Sequence, residues 1–128
     1  MKYTINRLFK DSTFDDIDAR ARAAIADNGF GVLTNIDVKA TMKKRLDGDM
    51  PAYRILGACN PKMAHLAIGM EPRVGAMLPC NVILREVDGG VKVSAIDPVA
   101  SMQAIDNREL HVVAGQVRDL LKKAVEAI

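Results

Sequence analysis

The chain has 128 residues, a mass of 13.9 kDa and a formal net charge of +2, with 49% hydrophobic and 27% charged residues. This excludes a disordered chain, whose apolar content would be too low, and leaves too balanced a charge for a dedicated nucleic-acid binder. No uncharged apolar run approaches the ~20 residues of a membrane span, and Met1 to Lys10 lacks a signal-peptide core. The expectation is one soluble, cytoplasmic domain, residues 1–128, large enough to fold without a metal or disulfide.

Tyr3 to Phe9 alternates apolar and polar residues, which predicts a half-buried strand. Ser12 and Thr13 offer helix caps, and Phe14, Ile17, Ala21, Ala24 and Ile25 follow helical spacing, so a first helix is expected over residues 14–28. Gly29 suits its end because it adopts positive φ without a Cβ clash. Phe30 to Ile36 alternates again as a second strand. Asp37 can cap a short helix with the stripe Val38, Met42 and Leu46. Lys39, Lys43, Lys44 and Arg45 surround that stripe; with no aromatic residues among them they read as a solvated face.

Gly48-Asp49-Met50-Pro51 breaks this helix. Tyr53 to Cys59, apolar on both faces except for Arg54, predicts a central strand. Asn60-Pro61 opens a third helix with the stripe Met63, Leu66, Ala67 and Met70, stopped by Pro72. Val74 to Leu78 is a connector. Cys80 to Val87 and Val91 to Ile96 form a hairpin around Asp88-Gly89-Gly90, residues that tolerate positive φ. Asn107 caps a last helix striped by Leu110, Val113, Val117, Leu120, Leu121, Ala124 and Ile128, with His111 at its surface. The order β-α-β-α-β-α-β-β-α predicts an α+β fold: one mixed β-sheet with packed helices.

The chemistry-bearing residues concentrate between positions 59 and 81. Cys59-Asn60-Pro61 stands at a strand-to-helix junction, His65 follows in the helix, and Pro79-Cys80-Asn81 opens the next strand. Ligands gather at such strand ends, where backbone groups and helix N-termini converge. Cys59, Asn60, His65, Cys80 and Asn81 therefore form the candidate ligand-binding set. The bland alternative assigns Asn60 to helix capping, both cysteines to core packing and His65 to solvent.

Two thiols and an imidazole suit zinc or copper, although the spacing matches no familiar finger and there is no CxxC pair. Haem needs an apolar slot and an axial group. His65 is the candidate ligand, with Met63, Met70 and Met77 as possible lining or further ligands. Cys59 or Cys80 with His65 and an asparagine also supplies the residue types of a thiol nucleophile, base and orienting amide. No GxSxG, HExxH or GxxxxGK[ST] motif is present.

Gly29-Phe30-Gly31-Val32-Leu33-Thr34, Tyr53-Arg54-Ile55-Leu56-Gly57-Ala58-Cys59-Asn60-Pro61, Ala64-His65 and Leu78-Pro79-Cys80-Asn81-Val82 together resemble the domain of unknown function 302 family. The resemblance runs from about Phe14 to Pro98. It implies a small α+β fold and a homodimer, and names no established reaction; a loose association with haem carries over only to His65. Three readings stay open: a binding domain for haem or a soft metal ion or another small molecule, a thiol-dependent enzyme, and a structural dimerisation module. No nucleic-acid or membrane partner is expected.

Overall fold

The computed structural model describes residues 2–128. Its elements are β1 (Thr4–Lys10), α1 (Phe14–Asp27), β2 (Gly31–Asp37), α2 (Val38–Leu46), β3 (Tyr53–Cys59), α3 (Pro61–Met70), a 3-10 helix (Pro72–Met77), β4 (Cys80–Val87), β5 (Gly90–Ile96), α4 (Pro98–Ser101) and α5 (Arg108–Ala127). The expected cap residues act as such. Thr13 Oγ1 accepts from Asp16 N at 3.2 Å, Asp37 Oδ1 from Ala40 N at 2.9 Å and Asn107 Oδ1 from Leu110 N at 3.0 Å. Each satisfies one of the orphan N–H groups of a helix start.

The five strands form one sheet in the order β1-β5-β4-β3-β2. The fold is α+β as expected, but every neighbouring pair is antiparallel, so the sheet is not mixed. Strands that alternate with helices commonly pair in parallel through βαβ crossovers. Instead α1 carries the chain from one edge of the sheet to the other, and β1 and β2 never meet. β3 is an interior strand, consistent with its apolar composition. β2 is the opposite edge, with a register shift between Val32 and Thr34 that leaves Leu33 exposed. Two elements lie where only connectors were expected, the 3-10 helix after Pro72 and the short α4 after Asp97.

Alternation along the strands divides the sheet into two faces. Phe9, Leu56, Ala58, Cys80, Val82, Leu84, Val91, Val93 and Ala95 share one buried cluster with Ile17, Ala21 and Ile25 of α1 and Val117, Leu121 and Val125 of α5. A smaller cluster of Ala67, Val74, Met102, Leu110 and Ala114 joins α3, the 3-10 helix and α5. On the other face, Asn6, Ser94, Ile83, Ile55 and Ile36 stand side by side across all five strands.

Polar contacts tie the helices to the sheet. Arg7 Nη1 donates to the carbonyls of Val125 (3.1 Å), Glu126 (2.6 Å) and Ile128 (3.3 Å), and Arg20 also reaches Ile128 O at 3.1 Å. These guanidinium groups satisfy the carbonyl end of α5, where its dipole favours a cation. Arg54 on β3 pairs with Asp18 on α1 at 3.1 Å, and Arg22 holds the other Asp18 oxygen at 3.0 Å.

Candidate functional site

β3 ends at Cys59, and Asn60 then caps α3 through Oδ1, which accepts from Met63 N at 3.2 Å. Pro61 fits the first helical turn because no intrahelical bond needs its missing N–H. Cys80 begins β4, directly opposite Ala58 of β3, so the two thiol-bearing positions lie at one corner of the sheet. The cis peptide Leu78–Pro79 leads the chain into that corner. Gly57 sits beside it: a Cβ there would overlap the Thr34 hydroxyl and approach Pro79 Cγ to 2.7 Å. Only a hydrogen lets β2, β3 and the Pro79 ring pack this closely.

A recess opens between this corner and helices α3 and α5. Cys59, Asn60, Met63, Cys80 and Met102 line it, with Phe30, Pro98 and aliphatic residues including Leu110 and Val113. The recess and its mouth enclose about 420 Å³, but only about 30 Å³ is open to the centres of water molecules. The smaller figure governs what fits inside. A water needs ~10–15 Å³ on that measure, so the cavity has room for about two waters or one ion. Drug-sized ligands occupy pockets of ~300 Å³ or more.

Cys80 is 7% exposed. Burial, aided by the charge of neighbouring Cys59, pushes its thiol up to about 11 from the ordinary 9.0. A buried thiolate without an opposite charge is costly, so the proton stays on. Cys80 is therefore a poor nucleophile.

The fold brings together only three of the five candidate residues: Cys59, Asn60 and Cys80. His65 is exposed on α3 and does not reach the cavity. Asn81 is exposed on the opposite face of β4, because neighbouring strand residues point to opposite sides. The set expected around one hollow is thus corrected to these three residues. Among the described residues, no group of three His, Cys, Asp or Glu side chains could hold a metal ion. The Cys59–His65–Cys80 metal set is not assembled, because His65 does not line the cavity with the two thiols. The haem slot is corrected with it: the cavity is too small for a macrocycle, and of Met63, Met70 and Met77 only Met63 lines it.

Met102 lines the cavity but was not singled out from the sequence. It follows α4, in a stretch without the periodicity that would have placed it inward. His111 is exposed as expected, with Nε2 3.3 Å from Met102 O. Among the described residues no helix is long and apolar enough to cross a membrane.

Comparison with known families matches residues 7–128 to "Domain of unknown function DUF302". Comparison with curated proteins gives no match. The chain is similar to the crystal structure of an uncharacterized conserved protein DUF302 from Bacillus stearothermophilus, with a TM-score of 0.92 and 19% identity, covering 99% of this chain and 98% of that one. At that identity the likeness shows the fold alone.

Proposed function

The chain belongs to the DUF302 family, and on that premise we propose that residues 1–128 act as one binding domain whose interior cavity takes a single soft metal ion. One observation carries the reading. Two thiol residues, Cys59 and Cys80, and two thioether residues, Met63 and Met102, line one small apolar cavity. Soft sulfur ligands favour Cu(I) over harder divalent ions. The cavity volume suits an ion rather than an organic molecule. Asn60 holds the start of α3 in place while Cys59 and Cys80 serve as ligands.

Binding replaces thiol protons with the ion, so each thiolate formed releases one proton and affinity rises with pH. The metal charge offsets the cost that keeps the Cys80 thiol protonated. A reducing compartment such as the cytoplasm keeps both thiols free for this role. The thiol-enzyme reading is weaker, because burial raises the Cys80 thiol and His65 does not line the cavity.

Titration of the reduced protein with Cu(I), buffered by a competing chelator, tests the proposal. One ion per chain is expected, lost in Cys59→Ser and Cys80→Ala and retained in His65→Ala. Failure to compete with the chelator, or unchanged uptake in the double cysteine variant, refutes it. The homodimer implied by the family resemblance belongs to the same proposal. Sedimentation at micromolar concentration tests it, and a single monomer-sized species removes it.

A further inference from the structure

The second face of the sheet carries a concavity of about 570 Å³, lined by Tyr3, Asn6, Tyr53, Asn81, Ile83, Arg85, Lys92 and neighbouring residues of β1 and β5. Arg85 and Lys92 are direct cross-strand partners, with Tyr53 opposite Arg85 on its other side. Like charges placed directly opposite destabilise a sheet unless something neutralises them. Among the described residues nothing does so. The lining contains no Asp or Glu, and among the described residues neither Arg85 nor Lys92 forms an ion pair. Glu86 follows Arg85 but points to the opposite face, and Asp97 is held by Arg118 at 3.0 Å.

We infer that this concavity is a second site, separate from the thiol-lined cavity, for a small organic oxyanion with an apolar tail. Charge selects the occupant: a guanidinium and an ammonium side by side match a carboxylate or phosphate group, which the arginine can grip with two N–H donors. Ile83 and Ile96 supply an apolar floor. The amide of Asn81 and the tyrosine hydroxyls add neutral polar groups around it. The volume falls in the range of small-molecule pockets, ~300–1,000 Å³. Asn81 thereby gains a setting that its neighbour Cys80 does not share.

The chain offers its own reporter. It has no tryptophan and only two tyrosines, Tyr3 and Tyr53, and both line the concavity. Tyrosine emission therefore reads this site alone. The full chain is titrated with hexanoate, butyl phosphate and inorganic phosphate, with hexanamide as the neutral control. Saturable emission changes are expected for an anion bearing a tail, and weaker ones for inorganic phosphate. Whether hexanoate or butyl phosphate binds tighter decides between carboxylate and phosphate.

Arg85→Ala and Lys92→Ala should each weaken binding at least about tenfold, and Arg85→Lys should weaken it less than Arg85→Ala. Circular dichroism confirms that each variant is folded, and the hexanoate-to-hexanamide ratio in the unaltered protein tests the inference without any variant. Equal binding of hexanamide and hexanoate, no saturation up to about 10 mM, or unchanged affinity in the Arg85→Ala/Lys92→Ala double variant overturns it. So does a dimer that Ile83→Asp converts to monomer, since a second copy would then occupy this face. Loss of Cu(I) uptake leaves this result untouched, so the two proposals fail separately.

Discussion

Gly57→Ala tests the packing that builds the thiol corner. The added methyl would overlap the Thr34 hydroxyl and lie 2.7 Å from Pro79 Cγ. Carbon atoms in comfortable contact stand ~3.5–4.0 Å apart, so the proline ring must retreat by roughly 1 Å. The Thr34 hydroxyl can rotate away, whereas the ring cannot. Overpacking of this kind costs about 1–3 kcal/mol. Alanine returns roughly 0.5–1 kcal/mol by removing the entropy cost of glycine in a strand. The clash is the larger effect, and a net loss of about 1–2 kcal/mol follows. Urea unfolding at constant slope should show the midpoint falling by roughly 0.5–1 M. In a double-mutant cycle, Pro79→Ala should recover more of the loss than Thr34→Ala, because only the rigid ring is forced to move. A Gly57→Ala protein as stable as the parent would refute the reasoning.

Other outcomes follow from the same structure. Arg7→Met should lower stability by about 1–3 kcal/mol in urea unfolding, because two α5 carbonyls and that of its C-cap Ile128 lose a charged donor, while Arg20 keeps its bond to Ile128. Arg54→Ala should cost about 2 kcal/mol, reduced from a fully buried pair because Arg22 still holds Asp18; Arg54→Lys should recover part of it. The Cys80 thiol titrates at about 11 in the folded chain, above its ordinary 9.0. The unfolded chain therefore loses this proton first, and stability falls as pH rises from about 9 to about 11, by about 2–3 kcal/mol in total. Urea midpoints across that window should show the decline, and Cys80→Ala should lack its share. In a Cys59→Ser background, native-state alkylation of Cys80 at pH 8 should be far slower than in urea, where burial is lost.

The helix starts were legible because capping is local. Thr13, Asp37, Asn60 and Asn107 each bond an N–H group three residues on, and no distant part of the chain is needed. The β4–β5 hairpin was legible for the same reason, since its turn residues lie in sequence between the strands they join. The split of Cys80 from Asn81 was also within reach. Within a regular strand such as β4, adjacent side chains point to opposite faces, and the period of two states this before any fold is known. His65 was readable in part, because its offset from the Met63–Ala67 stripe turns it outward.

Length, hydrophobic spacing and turn chemistry by themselves determined the five strands and the four longer helices, and that they form an α+β fold. Strand order, the antiparallel pairing throughout, and the meeting of Met102 with Cys59 and Cys80 were decided only by tertiary structure. So was the unneutralised Arg85–Lys92 pair facing both tyrosines. Local periodicity records which side of an element is apolar. Which element lies beside it depends on how all the apolar faces are buried together, and that balance belongs to the whole chain.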